Sequence, residues 1–210
     1  MALAIGLAGF LATSVRTGPD IVAEPTLAEP DLMEIDKVLA NRAPELGLAL
    51  RRRVAEAILD ESKKARFDPM MVLGLIETES AFVGDAVSIA GARGLMQLMP
   101  VTLEHIIAQE SVRLTPEEIY RDPAMQVRLA VRYLSKLEKR FRSLDLALMA
   151  YNGGPGRLEQ ALQEGDAEAW FGNYVRTVKL NQARIRRHLP SSLAQIETAR
   201  LGDPNAARLP

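Results

Sequence analysis

The chain has 210 residues, 48% of them hydrophobic and 25% charged, which suits one well-cored globular domain with some tail to spare. A formal net charge of −1, with Arg51-Arg52-Arg53 as the one tight basic run, argues against the clustered cationic surface of a dedicated nucleic-acid binder. No cysteine is present, and the two histidines, His105 and His188, form no close pair. Disulfides, thiolate metal sites and a Cys nucleophile are thereby excluded, and a structural zinc site is disfavoured.

Residues 1–16 are nearly all apolar, with Arg16 the first charge, and are expected to be an export signal or short anchor. The run falls short of the roughly 20 apolar residues of a comfortable membrane span. An apolar helix packed on the domain is the alternative. Pro19, Pro25 and Pro30 make 17–30 a linker. The folded domain is expected over 31–190, followed by a tail, 191–210, that contains Pro204 and Pro210.

Within the domain, Asp31 is a candidate cap for a helix running to Arg42. Pro44 interrupts, and a longer helix follows over 45–66. Asp68-Pro69 is a helix-start signal, cap then first-turn proline, for a helix over 70–82. Residues 84–94, rich in Gly, Ala and Ser, read as a loop. Residues 95–108 read as helical with a break at Pro100. Asp122-Pro123 opens another helix, whose Val127, Val131, Leu134 and Leu137 recur at helical spacing. Residues 144–151 form the next, stopped by Asn152-Gly153-Gly154-Pro155-Gly156, and 168–189 the last. No segment alternates with period two and no repeat is visible, so the expected class is all-α.

The chemistry-bearing residues stand out against this frame. In the helix over 70–82, Val72, Leu75, Ile76, Glu79, Phe82 and Val83 share a face. Glu79 is the one charge in that stripe. A carboxylate there is costly unless it is paired, protonated or turned into a cleft, and desolvation raises its pKa towards the range of a proton donor. Glu77 falls on another face. Taken alone, a Glu flanking such a stripe is more often the solvated edge of a helix than a catalyst. Gly91 and Gly94 permit close backbone approach. Gln97 is a lone amide among Leu95, Met96, Leu98 and Met99, and it needs hydrogen-bond partners in the protein or in a ligand.

Three segments in order, Glu79-Ser80, Gly94-Leu95-Met96-Gln97 and Ala150-Tyr151-Asn152, closely resemble the lysozyme-like lytic transglycosylase domain of the soluble-transglycosylase and goose-type-lysozyme superfamily. The segment Ala86-Val87-Ser88-Ile89-Ala90-Gly91-Ala92 ahead of the second motif matches as well, and the resemblance covers about 69–178. It implies a lysozyme-like helical domain with a glycan-binding cleft, acting on peptidoglycan strands in the bacterial periplasm or envelope. No metal, cofactor or nucleic acid is implied.

Carried over by position, Glu79 is the catalytic acid/base and Ser88 contacts the sugar near the reacting centre. Tyr151 positions Glu79 or the substrate. Gln97 and Asn152 line the groove or hold its walls, and Met96 packs the floor of the site. Tyr174 is grouped with the substrate-binding residues. The family's late Glu-Thr-x-x-Tyr-Val motif keeps Tyr174-Val175 but carries Trp170 and Phe171 at the Glu and Thr positions. Trp170 is open to two readings, stacking on a sugar or serving as core or lid. Arg93 fills a variable slot and is open to two readings, reaching an acidic peptide or lactyl group or, the favoured one, plain surface exposure.

Glycosidases usually employ two carboxylates. No second acid lies in a matching motif, and Asp85, the nearest candidate, reads as a turn residue. The resemblance therefore implies a single-acid mechanism giving a 1,6-anhydro product at the bond between N-acetylmuramic acid and N-acetylglucosamine. Two alternatives are a muramidase-type hydrolase and a catalytically minor peptidoglycan-binding module of an envelope-spanning secretion or conjugation machine.

Overall fold

The structure, a computed structural model, describes residues 30–188. The expected leader (1–16), the linker up to residue 29 and the tail (191–210) lie outside the described residues. Among the described residues no helix is long and apolar enough to cross a membrane. The elements are α1 (Pro30–Arg42), a 3-10 turn (Pro44–Leu46), α2 (Gly47–Ala65), α3 (Pro69–Ser80), α4 (Pro100–Glu110), α5 (Pro116–Tyr120), α6 (Pro123–Phe141), α7 (Leu144–Gly153), α8 (Pro155–Glu164) and α9 (Ala167–His188). The expected all-α class is what the structure has. Two isolated antiparallel bridges, Val87 with Arg93 and Arg93 with Leu98, are the β pairing among the described residues.

Local chemistry sets most boundaries. The Asp68 carboxylate accepts from the Met70 amide at 3.0 Å with Pro69 in the first turn, as the sequence suggests. Asp122 caps α6 the same way, accepting from Ala124 and Met125 at 3.1 and 3.3 Å. Thr115 and Glu118 form a reciprocal capping box that starts α5. Neither α5 nor α8 is among the expected helices. α5 is too short for apolar periodicity to reveal, and Pro155, read as part of a stop, is the first-turn residue of a new helix. Asp31 sits inside the first turn of α1 rather than at its cap.

The largest correction falls on 95–108. Residues 95–97 form a turn, Leu98 bridges to Arg93, and α4 starts only at Pro100. Gln97 has a positive φ of 45°, and Arg93 and Leu98 exchange backbone hydrogen bonds at 3.2 Å each way. Apolar spacing alone does not register those tertiary ties. Phe82 also lies beyond the helix it was expected to end, and Val83 is exposed rather than on the apolar face.

α3 lies at the centre. Its Met70 to Ile76 stretch is buried throughout, enclosed mainly by α9 with help from α1 and α2. α2 packs on α6, and α6 on α7. One polar cluster joins α2 to α6. Glu61, 2% exposed, accepts two hydrogen bonds from Arg132, both at 2.9 Å, and one from Lys64 at 2.9 Å. Burial alone would raise its pKa, but these cations outweigh it and hold the carboxyl at about 2.

Candidate active site

Glu79 sits one residue before the end of α3, where the chain reverses through Ala81 (φ 49°) and Phe82 (φ 69°). Left-handed backbone at a non-glycine residue costs about 1 kcal/mol each. The fully buried Phe82 side chain holds the reversal in place. The turn launches the loop that carries Ser88, Gly94 and Gln97 back over the end of α3.

That loop is tied to itself rather than loosely draped. The Ser88 amide donates to the Ala92 carbonyl at 2.9 Å, the Ser88 carbonyl accepts from the Gly91 amide at 2.9 Å, and the Gly94 amide donates to the Ala86 carbonyl at 2.8 Å. The Ser88 hydroxyl oxygen accepts from the Ala92 amide at 2.9 Å, which leaves its own hydrogen free to donate. The Gln97 amide nitrogen donates to the carbonyls of Ala86 and Gly94 at 3.1 and 2.9 Å, so Gln97 both lines the cleft and holds its wall. Gly94 has φ 79°, and a Cβ there would overlap the fully buried Gln126 amide, so only glycine fits.

α9 closes the other side because Gly74 lets it approach. A Cβ at position 74 would lie 2.7 Å from the Gln182 backbone nitrogen and 2.9 Å from the Val178 carbonyl oxygen. Along this antiparallel contact Asn181 donates to the Thr78 hydroxyl at 3.0 Å, and the Tyr174 hydroxyl donates to Glu79 in a short hydrogen bond. Burial pushes the Glu79 carboxyl up to about 7 against the opposing pull of Tyr174, whose hydrogen bond favours the ionised form.

The cleft at Glu79 has a volume of about 320 Å³ and is lined by Glu79, Ser88, Ala90, Ala92, Gln97, Leu98, Met99, Thr102, Tyr133, Tyr151 and Asn152. Of the residues expected at the site, Glu79, Ser88, Gln97, Tyr151 and Asn152 thus converge on one cavity. Met96 does not line it. Its side chain is fully buried, and its carbonyl accepts from the Tyr151 hydroxyl at 2.8 Å. Tyr151 therefore ties α7 to the loop instead of hydrogen-bonding Glu79, and Tyr174 is the residue that does. Burial first, and the Glu79 charge second, drive both phenols well above their ordinary pKa, so both remain protonated donors.

Met99, Thr102 and Tyr133 were not expected at the cleft. Tyr133 stands 6.1 Å from Tyr151, ring to ring, at an angle of 49°. Its position one helical turn before Leu137, as a half-buried aromatic at the edge of the α6 apolar stripe, is the signal that was available. Asp85 lies across the loop in a different cavity with Glu45 and Arg93. Glu77 points away from the cleft and pairs with Arg42 at 2.6 Å. Arg93 pairs with Glu117 at 2.6 Å and lies over the Tyr120 ring at 4.2 Å, away from the Glu79 cavity. Phe171 is buried with its ring against Gly153, where a Cβ would overlap it. Trp170 is 44% exposed, edge-on to Phe171 and outside the cleft lining.

Comparison with known families adds the deciding observation: residues 56–170 match the Transglycosylase SLT domain. The chain belongs to the SLT transglycosylase family. The chain is 28% identical over 125 residues to a transglycosylase of Enterobacteria phage PRD1, covering 60% of this chain and 43% of the phage protein. It is 32% identical over 115 residues to the membrane-bound lytic murein transglycosylase C of Mannheimia succiniciproducens, covering 50% of this chain and 32% of that protein. The chain thus spans less than half the length of these curated relatives.

Two solved structures share the fold. One is an inactive mutant of the lytic transglycosylase Slt of Pseudomonas aeruginosa, with TM-score 0.55, 22% identity, and coverage of 74% of this chain and 30% of that one. The other is the 70 kDa soluble lytic transglycosylase of Escherichia coli, with TM-score 0.56, 23% identity, and coverage of 74% and 28%. The SLT match ends at residue 170, so Tyr174, which touches Glu79, lies just past it.

Proposed function

We propose that this chain is a lytic transglycosylase that cleaves murein glycan strands, with Glu79 as its single acid/base and a 1,6-anhydro sugar as its product. The observation that carries this reading is a solitary carboxyl. Glu79 is the one acidic side chain lining its cleft among the described residues, and burial lifts its pKa to about 7, where protonated and ionised forms are both populated at neutral pH.

In the proposed reaction, protonated Glu79 donates to the glycosidic oxygen as the bond to the anomeric carbon of N-acetylmuramic acid breaks. Positive charge builds at that carbon. The Ser88 hydroxyl, whose oxygen already accepts from Ala92, turns its hydrogen towards the substrate's N-acetyl carbonyl and orients it to stabilise that charge. Glu79, now ionised and steadied by the Tyr174 phenol, takes the proton of the sugar's 6-hydroxyl as its oxygen bonds to the anomeric carbon. Glu79 is left protonated, ready for another cycle. Holding both groups in one cleft removes most of the entropic barrier to ring closure.

A hydrolase would place water where the 6-hydroxyl attacks, and a binding module would not turn over at all. Digestion of purified sacculi followed by mass spectrometry separates the three. Anhydro ends support the proposal, ends heavier by one water indicate hydrolysis, and intact strands that bind equally to wild type and Glu79→Gln indicate a scaffold role. Work on murein would place the protein in the bacterial envelope. Service to a secretion or conjugation assembly there is a partner reading tested by copurification of such an assembly with the full chain.

A further inference from the structure

Gln126 has no part in the proposed chemistry, yet the fold commits its amide to the back of the loop that carries Ser88 and Gln97. α6 buries Gln126 completely, together with Val127, Leu129 and Ala130. The amide nitrogen donates to the Tyr120 carbonyl at 2.9 Å, and the amide oxygen has no hydrogen-bond partner. A buried acceptor in that state is unfavourable, and an apolar side chain of similar length would avoid the penalty. The amide is instead pressed onto Gly94. A Cβ at Gly94 would overlap the Gln126 amide oxygen and lie 2.6 Å from its nitrogen, so the Cα hydrogen that takes that direction points onto the amide. Such a Cα–H···O contact attracts weakly, and its main effect here is positional.

Gly94 is the knot of the loop. Its amide donates to the Ala86 carbonyl, and its carbonyl accepts twice from Gln97, from the backbone amide at 3.1 Å and the side-chain amide at 2.9 Å. Gln126 reaches the same loop by a second route. Tyr120, whose carbonyl it holds, donates its hydroxyl to the Leu98 carbonyl at 3.1 Å. Gln97 and Leu98 both line the Glu79 cleft. One buried amide therefore backs both ends of that stretch of cleft wall.

We propose that Gln126 is a positioning residue: it fixes the Gly94–Leu98 stretch in the shape that receives the glycan strand, and so governs substrate affinity rather than proton transfer. The inference rests on the murein reading of the Glu79 cleft. Without the amide the loop samples other shapes, and apparent affinity falls with the fraction of molecules that hold the binding shape. Bound glycan selects that shape, so turnover at saturation is preserved. Glu79 is held by α3 and by Tyr174, and the Gln126 side chain hydrogen-bonds to neither.

The test replaces Gln126 by methionine, which is similar in length and volume but carries no amide. In a Glu79→Gln background, Gln126→Met should raise the Kd for a murein glycan oligomer about tenfold, the loss expected when about one molecule in ten holds the binding shape. With Glu79 intact, it should raise KM to match, leave kcat per folded molecule within about twofold and leave the alkaline limb of the pH–rate profile in place. Amide hydrogen exchange reads the loop with no substrate present: the Gly94, Gln97 and Leu98 amides should exchange at least about tenfold faster, with α3 and α9 unchanged. A second pair separates positioning from simple misfolding. Gly94→Ala drives a Cβ into the amide and should weaken binding more than about tenfold, and adding Gln126→Ala removes the clash and should recover at least about threefold. Alanine at φ 79° remains strained, so the recovery is partial. Additive weakening in that pair, a fall in kcat with KM unchanged, or loop amides that exchange at the wild-type rate would overturn the proposal. Loop exchange accelerated as expected, with no glycan bound by the parent or any variant, would sink the murein reading and leave the loop-holding role of Gln126 standing.

Discussion

Replacing Glu79 by glutamine should stabilise the fold at neutral pH, by an amount that the burial of the carboxyl sets. The folded pKa is about 7 against an ordinary value of 4.5. Below pH 4.5 both states hold the proton and Glu79 has no pH-dependent effect on stability. As pH rises from 4.5 towards 7 the unfolded chain releases it while the folded domain retains it, so stability falls across that window. Above 7 the loss is complete. At about 1.4 kcal/mol per pKa unit, the interval corresponds to roughly 3 kcal/mol.

Glutamine keeps the shape and can still accept from Tyr174 but does not titrate, so the variant should lack this fall. Urea unfolding of full-length wild type and Glu79→Gln, followed by far-UV circular dichroism from pH 4 to 8, reads it directly. The stability difference in favour of the variant should grow by roughly 3 kcal/mol between pH 4.5 and 7.5. A difference that stays constant within about 1 kcal/mol would refute the buried, proton-holding carboxyl and with it the single-acid reading.

Other residues give equally direct tests. Tyr174→Phe removes the hydrogen bond that favours the ionised carboxylate, so the alkaline limb of the pH–rate profile should move upward while turnover at pH 7 falls; an unmoved limb would place Tyr174 outside the proton chemistry. Gly74→Ala sets a Cβ against α9 backbone that cannot yield like a side chain, so it should cost about 2 kcal/mol and depress kcat beyond the loss in folded fraction. Full activity per folded molecule in that variant would show that the α3–α9 approach does not position Glu79. Glu61→Ala should cost about 3 kcal/mol at pH 7, read by urea unfolding. Because its folded pKa is depressed to about 2, the Glu61 contribution is present above about 4.5 and lost as pH falls from there towards 2, so the variant's deficit should shrink in acid.

Much of the helical frame was legible because its signals are local. Asp68-Pro69 and Asp122-Pro123 fix helix starts through contacts two or three residues away, and the apolar spacing of α6 needs no partner to be recognised. The helix expected over 95–108 failed at its start because backbone groups there are satisfied by tertiary ties rather than along a helix: Leu98 exchanges hydrogen bonds with Arg93, the Gln97 amide donates back to the Gly94 carbonyl, and the Met96 carbonyl accepts from the Tyr151 hydroxyl. The site divides in the same way. Glu79, Ser88, Gln97, Tyr151 and Asn152 were readable from motif chemistry and do converge, whereas Tyr133 and Thr102 sit on helices whose sequence advertises only packing.

The sequence by itself determined that the chain is helical, where most helices start, and that Glu79 is a lone charge in an apolar stripe. Tertiary structure alone decided which phenol meets that charge. Tyr151 and Tyr174 are equivalent as residues, but Gly74 lets α9 settle against α3 and brings Tyr174 onto Glu79, while Tyr151 is drawn to the Met96 carbonyl by the fold of the loop. The carboxyl's raised pKa has the same origin. Desolvation depends on what surrounds an atom in space, and those surroundings come from α3, α6, α7, α9 and the loop, brought together from more than ninety residues of chain.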